Sequence, residues 1–274
     1  MKSFVSTGVS VWFALCVPLA KAFINDDQVG SITSPENFKF APKPENDPRF
    51  KPVESHFLTL PAGKDEFERW QAYENAVFLN SKIMLAPETY GSFGYLESKI
   101  ENPIKETWVA RIDFRIAREK FKRKDWTNGD GMGIYYLRTV NPEAPVTPNY
   151  YGYHDNFDGI GVFISPNKSQ KADGPIRRVQ IQARSPSIKY ERIQEVDKKK
   201  RSEKEFHQCF MPVVNNPEGW SRISIEYERP NLKVFVFDHT TQEFQHCFSM
   251  EVILDYNGYF VISASGGDFN PYFS

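Results

Sequence analysis

A carboxylate set between two glycines, Gly129-Asp130-Gly131, stands directly before an apolar run from Met132 to Leu137. A carboxylate at a strand entrance can accept hydrogen bonds from two hydroxyls at once. Glycines beside it leave room for a ligand or another backbone to come close. A similar pattern recurs at Asp158-Gly159, ahead of Ile160-Gly161-Val162-Phe163-Ile164. Near the end of the chain a further apolar run closes on Ser265-Gly266-Gly267-Asp268. Two core strands with ordinary turn residues account for the first two patterns equally well by spacing alone.

Catalytic patterns are missing. Ser263-Ala264-Ser265-Gly266-Gly267 only looks like a Gly-x-Ser-x-Gly nucleophile elbow. The histidines His56, His154, His207, His239 and His246 include no pair four apart, as a zinc-binding helix would need. The nearest paired carboxylates, Glu195-Val196-Asp197, sit in a charge run that includes Lys198 to Arg201 rather than in an apolar strand, where a glycosidase would need them. The expectation is a protein that is not an enzyme.

The elements that must hold these residues read as strands. Trp108 to Ile116 alternates, with Trp108, Ala110, Ile112, Phe114 and Ile116 on one side and Val109, Arg111, Asp113 and Arg115 on the other. That is the pattern of a half-buried antiparallel strand. Arg222 to Glu228 alternates again and turns at Pro230-Asn231 into Leu232 to Phe237. Phe157 to Ile164 and Gly258 to Ala264 are apolar on both faces, and Val179 to Gln182 and Ile188 to Tyr190 are shorter strands. His56 to Leu60 is an edge-strand candidate, and helix competes only over Lys64 to Ala72. The loop from Asn141 to Asp155, with Pro142, Pro145, Pro148, Tyr150, Tyr151, Tyr153 and His154, is too rich in proline to be regular, and loops of this length are often functional. Many strands and few helical periods predict an all-β protein built as an antiparallel two-sheet sandwich.

The 274 residues suffice for one large domain. Residues 1–22 stand apart: Lys2 is a basic start, Val9 to Leu19 is apolar, and Ala20-Lys21-Ala22 has the small residues of a cleavage site. We read a secretory leader, with a retained signal anchor as the alternative. The proline- and charge-rich residues 23–55 predict an extended or poorly ordered arm, and 56–274 the domain itself. With the leader go Lys2, Lys21 and Cys16, so 32 bases face 35 acids, a net charge of −3 that gives no case for nucleic acid. Cys209 and Cys247 are then the only cysteines in an oxidising compartment, and one disulfide is expected, two reduced core thiols being the alternative. Asn167-Lys168-Ser169 is the chain's single N-glycosylation acceptor.

Taken in order, Asp130-Gly131, Asp158-Gly159-Ile160-Gly161-Val162-Phe163, the two late cysteines, and Gly258-Tyr259-Phe260 running into Ile262 to Gly267 resemble the L-type lectin domain of early-secretory-pathway cargo receptors. The resemblance spans roughly Leu58 to Asp268. It implies a concanavalin-like jelly-roll sandwich in the lumen of the endoplasmic reticulum, intermediate compartment or Golgi. Such a domain binds high-mannose N-glycans of cargo glycoproteins in transit, usually with calcium. Asp130 matches the family's sugar-binding Asp, Gly266 and Gly267 its glycine-rich sugar loop, and Cys209 with Cys247 its disulfide. The chain is one residue shorter just before that loop. The resemblance also implies a domain incomplete at Ser274, with a closing strand, a stalk and a membrane anchor beyond it.

Other positions depart from the family. Its metal loop supplies Asp, a backbone carbonyl and an Asn that also touches sugar; here these fall on Ser165, Asn167 and Ser169, with Lys168 among them. A sugar-holding His falls on Lys189 and a metal-binding Asp near Glu191, so Ser169 and Lys189 are sugar-site candidates while no metal ligand is assigned. The function this implies is a mannose-binding lectin of glycoprotein transport. The alternative is a lectin-fold module that has lost calcium and sugar and recognises protein partners.

Overall fold

The computed structural model describes residues 8–18, 50–56, 58, 62–80, 82–87, 91–116, 131–140, 151–154, 157–166, 176–184, 208–214, 221–238 and 241–265. In chain order the strands are β1 (Gly8–Pro18), β2 (Phe50–Pro52), β3 (Trp70–Glu74), β4 (Val77–Leu79), β5 (Lys82–Pro87), β6 (Phe93–Ser98), β7 (Thr107–Ile116), β8 (Gly131–Leu137) and β9 (Gly159–Pro166). They continue with β10 (Ile176–Arg184), β11 (Gln208–Val214), β12 (Ser221–Glu228), β13 (Asn231–Asp238), β14 (Glu243–Glu251) and β15 (Tyr259–Ser265). One short helix, α1 (Lys64–Arg69), leads into β3. Among the described residues no helix is long and apolar enough to cross a membrane.

The strands form two sheets. One runs β14-β13-β12-β7-β1-β5-β4 with β2 added against β1, and the other β11-β10-β9-β8-β15-β6-β3. The pairings are antiparallel throughout, so the fold is the antiparallel jelly-roll sandwich read from sequence. Between the sheets lie the inward residues of each alternation: Trp108, Ala110, Ile112 and Phe114 of β7, Ile223, Ile225 and Tyr227 of β12, Met132, Ile134 and Tyr136 of β8, and Phe260 and Ile262 of β15. Tyr136 and Tyr227 carry hydroxyls into this core and have partners there. Tyr136 donates to the Tyr256 carbonyl at 3.1 Å and accepts from the Gly258 N–H at 3.0 Å, while Tyr227 accepts from the Leu254 N–H at 2.9 Å. Partners of this kind are what lets a Tyr be fully buried without an unsatisfied polar atom. Burial of the Tyr136 phenol holds its pKa up at about 12, so it stays neutral.

On the outer face of the first sheet Arg222 of β12 grips Asp113 of β7 through two hydrogen bonds. At one flank Cys209 of β11 and Cys247 of β14 are bonded, with Cα atoms 5.4 Å apart, which ties the edge strands of the two sheets together.

Several local expectations are corrected. Of the strand expected at His56 to Leu60 only His56 and Leu58 are described: His56 closes a single 3₁₀ turn, Glu54–His56, and Leu58 forms a bridge. His56 is buried there, its Nε2 3.1 Å from the Ile100 carbonyl, and burial lowers its pKa to about 4. The helix at Lys64 stops at Arg69, because Trp70 and Ala72 pack inward as β3. β2 pairs with β1 over Cys16–Pro18, and β1 lies between β5 and β7; whether residues 1–22 are cut away as a leader is decided by processing, not by these pairings. The strand expected at Ile188 to Tyr190 lies outside the described residues.

Candidate functional site

Three strand ends meet at one end of the second sheet. β8 begins at Gly131, which pairs with Ser265 where β15 stops; on its other side Met132 pairs with Ile164, one residue before β9 reaches Ser165. Gly131 has φ +117, and a Cβ there would collide with the Ile164 carbonyl, so the close approach of β8 to the end of β9 requires glycine. In sequence, Asp130 directly precedes Gly131, Gly266-Gly267 directly follow Ser265, and Asn167-Lys168-Ser169 directly follow Pro166. Those candidates and Lys189 lie outside the described residues. What the structure brings together is the strand ends from which three of the four groups depart.

The outer face of this sheet is covered by a strap that spacing alone could not place. Tyr151, Tyr153, His154 and Phe157 are all buried over it. Tyr151 packs on Phe163 with ring centres 4.7 Å apart, Tyr153 meets Tyr95 and Tyr135 at 5.0 Å each, and Phe157 meets Tyr135 at 5.2 Å. In-strand glycines make the room: a Cβ on Gly133 or Gly161 would meet the rings of Tyr135 or Phe163. Two hydroxyl contacts pin the strap. Ser263 Oγ donates to the Tyr151 carbonyl at 2.6 Å, and the Tyr151 hydroxyl lies 2.6 Å from Ser165 Oγ. Tyr151 and Ser263 are thus site-building residues to which the sequence reading gave no role, although it marked the loop that carries Tyr151 as functional.

Glu97 lies under the same strap. On β6 it sits between Gln71 and Val261, is 5% exposed, and its Oε2 has no hydrogen-bond partner among the described residues. The ionisable groups that feel its charge are the phenols of Tyr73, Tyr95, Tyr153 and Tyr259, all of them pushed upward, chiefly by burial. Burial likewise raises Glu97 from 4.5 to about 7. The folded state therefore holds this proton more tightly than the unfolded chain does. The contribution of Glu97 to stability is fully present below about pH 4.5 and is lost as the pH rises towards 7. Glu97→Gln should abolish that loss, gaining at most about 3 kcal/mol above pH 7 and little near pH 4. Urea unfolding of both proteins across this range checks it, and parallel pH profiles would refute it.

The fit to calcium can be judged at Ser165. The family places a carboxylate there; this chain offers one neutral hydroxyl, already engaged with Tyr151. Among the described residues no group of three or more His, Cys, Asp and Glu could hold a metal ion. A hard divalent ion draws six to eight oxygens with carboxylates supplying the charge, and what Ser165 offers does not fit it.

The model of the legume-like lectin family matches residues 53–272, most of the chain. The chain belongs to the legume-like lectin family. Its fold agrees with solved lectin structures. The VIP36 exoplasmic/lumenal domain in its Ca2+/Man3GlcNAc-bound form aligns with TM-score 0.57 and 18% identity, over 74% of this chain and 80% of that one. The legume lectin-like domain from Entamoeba histolytica gives TM-score 0.51 at 16% identity over 75% and 85% of the two chains. The Emp46p carbohydrate recognition domain in its metal-free form gives 0.51 at 12% over 76% and 87%. A comparison with curated protein sequences finds no match.

Proposed function

We propose that this chain is a lumenal lectin that binds high-mannose N-glycans on glycoproteins moving between endoplasmic reticulum and Golgi. The observation that supports the reading most is the convergence of the β8, β9 and β15 ends, from which Asp130, Ser169 and Gly266-Gly267 follow in sequence. Asp130 would accept hydrogen bonds from two sugar hydroxyls, Gly266 and Gly267 would let backbone N–H groups reach the ring, and Ser169 and Lys189 would complete the rim. VIP36 was solved with Man3GlcNAc, Man2 and Man bound, which supports a mannose ligand for a relative of this fold. The reading includes a leader over residues 1–22, an arm over 23–55, a lectin domain over 56–274, and a membrane anchor beyond this chain. A glycan array tests it: mannose-terminated N-glycans should give the signal, and none above background would reject it.

Calcium is not part of the proposal. Ser165 and Ser169 stand where the family has Asp and Asn, and Lys168 adds a cation between them. Calorimetric titration should show no calcium dissociation constant tighter than about 0.1 mM, and a tighter one would show that other oxygens complete the site. The second reading is a lectin-fold module that has lost calcium and sugar and recognises protein partners; the engaged Ser165 hydroxyl agrees with the loss of calcium. In that case the array is silent while cargo still binds.

A further inference from the structure

The two oxygens of Tyr151 reach two strands that do not pair with each other. Ser263 Oγ of β15 donates to its carbonyl at 2.6 Å, and its hydroxyl lies 2.6 Å from Ser165 Oγ of β9. β8 runs between those strands. Ser263 and Phe163 both stand opposite Gly133 of β8, and one row nearer the strand ends Ser265 stands opposite Gly131. In both rows the middle strand carries glycine, so it offers no side chain to link its neighbours. The link comes from Tyr151, whose ring packs on Phe163. The backbone is bent to deliver it there. Tyr151 has φ +51, a left-handed conformation that a bulky residue rarely takes. Gly152 follows at φ +77, so close to β15 that a Cβ on it would collide with the Ala264 carbonyl. Strain of this kind persists only where the surroundings hold it, and it gathers at functional sites.

We propose that Tyr151 is a positioning residue of the sugar site: it ties the ends of β15 and β9 together across β8 and holds, without a metal ion, the strand ends from which Asp130, Ser169 and Gly266-Gly267 follow in sequence. The inference rests on the reading that this domain binds high-mannose glycans. Binding groups must be held within about 0.5 Å of their productive geometry, so the strand ends that carry them need an anchor. Where the family has a metal-binding carboxylate this chain has Ser165, and the contact of Ser165 with Tyr151 anchors the end of β9 with no ion. Packing alone does not call for the hydroxyl. A phenylalanine would fill the same place on Phe163, and it is the hydroxyl that reaches Ser165.

The test compares the parent protein with Tyr151→Phe, Ser165→Ala and Ser165→Thr, reading affinity for a high-mannose oligosaccharide and, without ligand, backbone amide exchange. Tyr151→Phe keeps the ring and loses only the hydroxyl. It and Ser165→Ala should each weaken oligosaccharide binding about fivefold, the scale of one hydrogen bond. Exchange at the ends of β8, β9 and β15 should quicken by about the same factor while β12 and β13 exchange as before. Ser165→Thr keeps a hydroxyl and should retain most of the affinity that Ser165→Ala loses. The double variant Tyr151→Phe/Ser165→Ala should lose no more than either single one, since both cut the same contact. Added calcium should restore nothing. A parent that binds, with Tyr151→Phe binding equally well, would overturn the inference; so would recovery of that variant on adding calcium, or an equal loss in Ser165→Thr. If the parent binds no oligosaccharide, the sugar reading falls instead and exchange decides the tie: quickened strand ends in Tyr151→Phe uphold it, and unchanged ones overturn it.

Discussion

Asp130→Ala should weaken binding of a high-mannose oligosaccharide by at least about 100-fold, because it deletes the one charged acceptor the proposed site has for sugar hydroxyls. Hydrogen bonds to an ionised group contribute about 1.5–3 kcal/mol each, and a carboxylate can make two of them to adjacent hydroxyls. The fold should tolerate the change. Gly131, not Asp130, is the residue whose φ and close approach to Ile164 set the entry of β8. Surface plasmon resonance on immobilised mannosylated glycoprotein, with thermal unfolding alongside, checks both halves. If Asp130 instead only caps the turn, stability falls and affinity for the sugar survives; that pattern would remove the assignment.

Replacing Cys209 and Cys247 together by serine should lower the free energy of unfolding by about 4 kcal/mol, the chain-entropy figure for a crosslink spanning this much chain. The cysteines are 38 residues apart. The bridge joins β11 to β14, the flank strands of two different sheets, so without it the sheets part more easily at that side. Denaturant unfolding of the double variant under oxidising conditions measures the loss, and a difference below about 1 kcal/mol would mean that sandwich packing alone closes this flank. Ligand affinity should change little, since the bridge lies on β11, two strands away from β9.

Much of the sandwich was legible because its central strands keep strict alternation. β7, β12 and β13 could be read from Trp108 to Ile116, Arg222 to Glu228 and Leu232 to Phe237, and the structure agrees to within a residue or two. β11 and β14 were not recognised. They are flank strands with a Pro212 in one and a register shift opposite the other, between Val234 and Phe235, and such strands carry weak periodicity. β1 falls within the segment read as a leader, because an apolar run suits a leader and a central strand alike.

The site was legible in another sense. The glycine patterns at Gly131 and Ser265 marked strand ends that do meet, because a close approach of backbones leaves its trace in residue type. Glu97 left no such trace. Alternation points it outward, which normally means towards water. The strap over it comes from a distant part of the chain that carries Tyr153 and His154, and sequence spacing cannot report a contact of that range. The Tyr151–Ser165 contact was hidden for the same reason.

The most direct test of the lectin reading is a titration of the purified protein with a high-mannose oligosaccharide, run once with added calcium and once with excess chelator. The account predicts saturable binding of the same affinity in both, since the neutral Ser165 hydroxyl, engaged with Tyr151, supplies no charge to hold calcium. No binding in either condition would contradict it.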